Sequence, residues 1–303
     1  MRGWWRDFAD LVLPADCGGC GSPRAVLCGS CRAALCGRAP RLVRPVPEPA
    51  GLPVVHAAAP YEDEVRAVLL AHKERGALGL AEALGAALAG AVRAGLPAPP
   101  WEPWPSAEPG LTAVAGAPGA GVQGAGPSGA GHRSGAGLTG PCGLPGPVLL
   151  VPVPSARRAV AARGHDPARR IALAASRELR RTGVGARVFP VLRQRRRIAD
   201  QSGLNSRQRL ENVTGALDVA AGAGRLLAEH RVVLVDDLMT TGASLAEAAR
   251  ALRAGTAPAE SPGGTDTENT RGTVPGPGEL RVMTRTNAAV VAASPDSFEI
   301  NRN

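Results

Sequence analysis

The residues with the greatest potential for chemistry lie in "RVVLVDDLMTTGAS", residues 231–244. Val232 to Val235 read as a buried strand, with Asp236 and Asp237 at its tip. Thr240, Thr241, Gly242, Ala243 and Ser244 then open a helix. In an open α/β sheet, ligands bind beyond the carboxyl ends of the strands. A helix N-terminus offers free backbone N–H groups and positive dipole potential, which suit a phosphate dianion. Hydroxyls of Thr240, Thr241 and Ser244 add donors, and Gly242 and Ala243 permit close approach of the backbone. The two carboxylates cannot face the same phosphate, since like charges repel. They suit neighbouring hydroxyls, directly or through a hydrated Mg²⁺. A diol acceptor beside a phosphate cradle describes a 5-phosphorylated ribose. The stretch lacks the GK[ST] of a Walker loop and the GxGxxG of a dinucleotide site.

A second constellation is "CGGCGSPRAVLCGSC", which places Cys17, Cys20, Cys28 and Cys31 in a C-x2-C-x7-C-x2-C pattern. Two thiolate pairs with two-residue gaps can close a tetrahedral structural zinc site. Disulfides and loose redox thiols are the alternatives, and disulfides are rare in the cytosol. Cys36 and Cys142 have no such spacing and read as plain thiols.

These groups need elements to hold them. At 303 residues the chain has room for one sizeable domain and a smaller unit, although aromatic residues make up only 3% of it and alanine buries little area. No apolar run is long enough to span a membrane. Arg6, Asp7 and Asp10 interrupt any signal-peptide core, and Trp4, Trp5, Phe8, Leu11 and Val12 suit one face of a short helix. The expectation is a cytoplasmic protein. Residues 1–45 form the cysteine unit, and 54–96 read as a strand followed by helices. Residues 97–147 are Gly/Pro/Ala-rich and aperiodic, and are expected to be a disordered insertion. Residues 148–303 alternate strands ("VLLVPVP", "ARVFPVL", "RVVLVDD", "AAVVAAS") with helices at about 156–182 and 243–253, and a loose stretch spans about 255–279. Such alternation predicts an α/β fold, a parallel sheet with helices on both faces.

Charge is uneven. The net charge is +9, and residues 148–231 carry 17 Arg against 6 acidic residues, an excess of +11. That stretch suits phosphate or nucleic acid, or else is a solvated arginine-rich surface.

At residues 232–244 the sequence resembles the phosphoribosyl-pyrophosphate (PRPP) motif of type I phosphoribosyltransferases: four hydrophobic residues, two acids, then TTG[AG][ST]. "VPVPSARRAVAARGHDPARRIA" and the order R…Q201…L204…R209-x-x-N212, together with the four-cysteine unit, resemble the ComF family of competence-associated phosphoribosyltransferase-like proteins. The resemblance covers residues 4–96 and 148–303, and Tyr61, Lys73 and Gly76 fit a further family pattern. It implies a type I phosphoribosyltransferase-like fold with a small N-terminal zinc unit and a PRPP–Mg²⁺ ligand. Asp236, Asp237 and Arg163 would form the catalytic set, and residues 240–244 would hold the 5-phosphate. Lys73, Ser155 and Arg163 would meet pyrophosphate, the loop from Ser155 to Arg158 presenting backbone N–H groups. Lys73 is the only lysine in the chain, and its alternative role is a helix-surface residue. His165 is a candidate general acid or a packing residue. Segment 193–212 corresponds to a loop that closes over PRPP.

Two departures stand out. Cys36 lacks the partner that family members often carry near it, and the 97–147 insertion is unusual. The resemblance leaves three functions open: phosphoribosyl transfer to an unidentified acceptor, a DNA-uptake role binding single-stranded DNA or a helicase partner, and PRPP sensing.

Overall fold

A computed structural model describes residues 16–97, 146–196, 206–257 and 286–301. The expected N-terminal helix, nearly all of the 97–147 insertion and the loose stretch from 258 lie outside the described residues.

In chain order the elements are α1 (Gly29–Cys36), β1 (Arg41–Val43), β2 (Val55–Pro60), α2 (Asp63–Glu74), a 3-10 turn (Leu78–Leu80), α3 (Ala81–Ala94), β3 (Val148–Pro152), α4 (Arg157–Arg163), α5 (Pro167–Arg181), β4 (Ala186–Val188), β5 (Leu192–Gln194), α6 (Ser206–Val213), β6 (Leu217–Val219), α7 (Gly224–Glu229), β7 (Val232–Met239), α8 (Ala243–Thr256), β8 (Thr286–Ala293) and a terminal 3-10 segment (Pro295–Asn301). Six strands form one sheet in the order β1-β2-β8-β7-β3-β4, and β5 pairs with β6 in a separate antiparallel ribbon. Every neighbour in the main sheet is parallel except β1, which runs antiparallel to β2. Representative register pairs are Ala57↔Val290, Leu234↔Ala288, Val151↔Leu234 and Leu150↔Val188.

Alternation along the central strands builds two cores. On β7, Val233 and Val235 face one cluster while Val232 and Leu234 face the other. The first cluster takes Ile171, Ala172, Ala175 and Leu179 of α5, with Leu84 and Leu88 of α3. The second takes Leu245, Ala248, Ala249 and Leu252 of α8. Strands buried on both faces are near-continuous apolar runs, which is why "VLLV" and "VVLV" read as such. The cysteine segment joins the first core, through Cys17, Leu27, Cys31 and Leu35.

Two differences from the sequence expectation have local causes. The single helix expected over 156–182 is two helices, parted by a turn at Gly164–His165–Asp166. Asp166 accepts a bond from the backbone N–H of Arg169 (3.2 Å) and Pro167 follows at N1, so α5 has its own start signal. The strand read in "ARVFPVL" is likewise two, β4 and β5, broken at Phe189 and Pro190. Proline offers no N–H to continue the ladder.

Candidate functional site

From β3 the chain moves outward to β4 by way of α5, and from β7 it moves outward the other way to β8 by way of α8. The two helices lie on opposite faces. The boundary between β3 and β7 is therefore a topological switch point, where the loops beyond the strand ends diverge and leave a crevice. Ser155 follows β3, and residues 240–244 follow β7. Of the predicted site residues, Ser155, Asp236, Asp237 and 240–244 thus stand at or just beyond the ends of these two strands.

Strand β7 continues through both acids to Met239, and Asp236 pairs in register with Val290. Asp237 is 6% exposed, and its backbone N–H donates to Oδ1 of Asp236 (2.8 Å). Desolvation, and then the adjacent Asp237 carboxylate, hold the Asp236 carboxyl well above the usual range. The last turn of α2 supplies the counter-charge. Lys73 Nζ lies 3.1 Å from Asp237 Oδ2, and that carboxylate raises the ammonium pKa. Arg163, at the end of α4, pairs with Glu74 at 3.2 Å, and its positive charge is felt at Lys73.

Beneath this cluster sits His72, fully buried, with neither ring nitrogen hydrogen-bonded. Its ring meets that of His165 edge-on at 5.6 Å. Burial, aided by the positive influence of His165 and Arg170, pushes His72 down to about 4 against an opposing pull from Asp237. His165 shares its Nδ1 with the Arg163 carbonyl at 3.1 Å, and its Nε2 is enclosed without a partner. Ser155 donates to Asp166 Oδ1 at 3.4 Å, so its hydroxyl serves the α4–α5 turn.

The segment after β7 forms a tight entry to α8. Gly242 is the N-cap in a left-handed conformation (φ 72°), and no side chain caps the helix. A Cβ there would stand 3.1 Å from Leu52 Cδ1 and 3.3 Å from Pro45 Cγ, so both φ and packing call for glycine. Thr240, Thr241 and Ser244 keep partial exposure. Arg209 of α6 reaches across to Thr240, Nη1 to Oγ1 at 3.5 Å. The β5–β6 ribbon is tied to α8 by Glu247, whose Oε1 accepts the Leu217 N–H at 2.9 Å, and by Arg250, which donates to the Leu217 carbonyl.

The structure thus brings Asp236, Asp237, Lys73 and Arg163 together on one side of the crevice and 240–244 beside them. Sequence reasoning missed His72, Glu74, Glu247 and the Arg209–Thr240 contact. The first two adjoin Lys73 in sequence. Glu247 had no motif to mark it.

The four-cysteine prediction has a geometric counterpart. The sulfurs of Cys17, Cys20, Cys28 and Cys31 all lie within 4.8 Å of one another, and Cys20 and Cys28 are 3.5 Å apart. Four thiolates at about 2.3 Å from a tetrahedral Zn²⁺ stand about 3.8 Å apart, so the group fits that ion after a slight contraction. Burial raises the Cys17 thiol, but backbone donors from Cys28, Cys20 and Gly19 outweigh it and bring the group to about 6. Burial, with its three sulfur neighbours, raises Cys31. A Cβ on Gly19 would lie 2.6 Å from Cys31 Sγ, so the knuckle requires glycine there. Cys36 stands apart, its thiol directed at the Ala83 carbonyl. A cleft of 660 Å³ lies between this knuckle and the turn at Arg75–Gly79, and it does not include the acids of β7.

Among the described residues, no helix is long and apolar enough to cross a membrane. No protein-family model and no curated protein matches the chain. The functional reading rests on the residues and their arrangement.

Proposed function

We propose that this chain is a ComF-like protein with a type I phosphoribosyltransferase domain. It binds PRPP, or a related ribose 5-phosphate ligand, in the crevice between the ends of β3 and β7 and transfers the phosphoribosyl group to an unidentified acceptor nucleophile, diphosphate leaving. The observation that carries this reading is the position of "DDLMTTGAS" at the switch point of a parallel sheet, with an uncapped helix N-terminus following the acids. Asp236 and Asp237 take the ribose hydroxyls, and residues 240–244 take the 5-phosphate. Lys73 and Arg163 put positive charge at the end where a diphosphate leaves. Ser155 contributes through its loop backbone, because its hydroxyl is used by Asp166.

Magnesium, expected with PRPP, would arrive with the ligand's diphosphate; Lys73 pairs with Asp237, and the four cysteines are the one group of three or more candidate metal ligands among the described residues. Zinc suits the cysteines, where Cys17, Cys20, Cys28 and Cys31 would hold it as a structural ion.

A second reading, DNA handling, is favoured by one observation. Arg157, Arg158, Arg169 and Arg170 are exposed near the crevice, and none has a carboxylate partner among the described residues. The two readings are separated by calorimetry of PRPP–Mg²⁺ and of oligo-dT on one preparation. The joint Asp236→Asn and Asp237→Asn variant should lose PRPP affinity by at least about tenfold while remaining folded, since each acid gives up charge-assisted bonds. Unchanged PRPP affinity would falsify the site assignment.

A further inference from the structure

We propose that Arg209 is the charged anchor for the ligand's 5-phosphate, a binding residue additional to the 240–244 backbone; this rests on the ribose 5-phosphate reading above. Several partnered arginines among the described residues meet a carboxylate, as Arg163 does with Glu74, Arg177 with Glu82 and Arg250 with Glu247, and others, such as Arg180, fill their donors with backbone carbonyls. Arg209 does neither among the described residues. It is half-buried, its Nε is enclosed without a partner, and its one hydrogen bond among the described residues goes to the Thr240 hydroxyl. The guanidinium therefore stands beside the N-terminus of α8, a second source of positive potential, and among the described residues no carboxylate pairs with it. Two uncompensated positive features converge on three partly exposed hydroxyls, at Thr240, Thr241 and Ser244. A phosphate monoester dianion resolves that imbalance better than any neutral group.

The placement also gives specificity. Backbone N–H groups and hydroxyls can also hold a neutral hydroxymethyl end, though less well than a phosphate, whereas a guanidinium adds a charge-assisted bond only for the anion and widens that preference. Arg209 sits on α6, which packs against α8, and α8 is itself tied to the β5–β6 ribbon through Glu247, so the reach to Thr240 is set by anchored elements.

The test is calorimetry with ribose 5-phosphate on wild type, Arg209→Gln and Arg209→Lys, at pH 5 and pH 8. Wild type should bind more tightly at pH 8, where the phosphate carries its second charge, its second pKa being about 6. Arg209→Gln should weaken binding roughly ten- to a hundredfold at pH 8 and shrink the pH difference, and Arg209→Lys should fall between. Glutamine affinity within about twofold of wild type overturns the proposal while leaving the ribose 5-phosphate reading standing. Absence of wild-type binding at both pH values overturns both. If Arg209→Gln does not fold, modification of wild type by phenylglyoxal decides: ribose 5-phosphate should protect Arg209 in the peptide map, and unprotected Arg209 overturns the proposal.

Discussion

The ammonium of Lys73 stands 3.1 Å from Oδ2 of Asp237 and joins the end of α2 to the middle of the sheet. The two ends differ in exposure: the Asp237 side chain is 9% exposed and that of Lys73 35%. Removing the lysine leaves a desolvated carboxylate without counter-charge, the dominant cost in such pairs. Lys73→Met should destabilise the fold by roughly 1–3 kcal/mol, less than a fully enclosed pair because solvent screens the lysine end. Lys73→Met combined with Asp237→Asn should recover most of that loss. Urea titrations of the four proteins give the coupling, and strictly additive effects would show that the pair contributes nothing. The lysine pKa is raised in the fold, so the contribution is present at neutral pH and disappears only as pH rises through that elevated value.

His72 makes stability depend on mild acid. Its folded pKa of about 4 lies below the ordinary histidine value near 6.5, so the unfolded chain binds the proton first as pH falls. Stability should therefore be intact above about pH 6.5 and decline toward pH 4, by at most about 3 kcal/mol. His72→Leu should flatten that part of the profile in denaturant titrations between pH 4 and 7. A wild-type profile already flat there would show that His72 finds a partner or protonates without penalty.

The sheet and the acids were legible because their signals are local. Val232 to Val235 is an unbroken apolar run, and the hydroxyl–glycine stretch opens a helix at Ala243, where the pattern put it. Ranges failed where a cap or proline competes with periodicity, as at Asp166–Pro167 and at Pro190. The destination of Lys73 was beyond the sequence for another reason. Motif matching paired it with a diphosphate, but its nearest opposite charge is 164 positions away, on Asp237. The Glu247 clamp on Leu217 and the reach of Arg209 to Thr240 also depend on how α6, β6 and α8 pack, which no local pattern encodes.

The cysteine group should hold one zinc per chain, and its loss should be felt beyond the knuckle. Cys17 and Cys31 belong to the same core as Val68 and Leu80, and Val68 lies on the helix that carries Lys73. Metal analysis of the native protein should find one zinc, and the joint Cys17→Ser and Cys28→Ser variant should find none. Stripping the ion with a strong chelator should lower Tm by several degrees, because a structural ion contributes directly to folding. An unchanged Tm after complete removal would mean that the core holds the knuckle without metal.

The remaining question is what the arginines of residues 148–231 do. Arg177, Arg181, Arg195, Arg207 and Arg225 each meet a carboxylate, and Arg180 is bound to Ser176 and the Ala186 carbonyl. Four of those five carboxylates lie within the same stretch and are already counted in its +11, so among the described residues only Arg177, with Glu82, and Arg163, with Glu74, draw on the excess. Arg157 and Arg158 on α4, with Arg169 and Arg170 at the start of α5, are exposed and have no carboxylate partner among the described residues. If single-stranded nucleic acid contacts this face, affinity should rest on charge. Phe189 is the one aromatic residue between 148 and 231, so stacking adds little. Binding of oligo-dT should then be on the order of micromolar or weaker at physiological salt and fall steeply as salt rises. Each phosphate neutralised contributes about 0.7 to the logarithmic salt slope on single strands. Replacing all four exposed arginines with glutamine should therefore flatten the slope by roughly three units, while replacing Arg177 and Arg181 should change it little. Equal effects from both sets would mean that binding follows overall charge and not this face. No binding by wild type even at low salt would remove direct DNA contact from the reading, leaving the four arginines as a solvated surface beside a phosphate site.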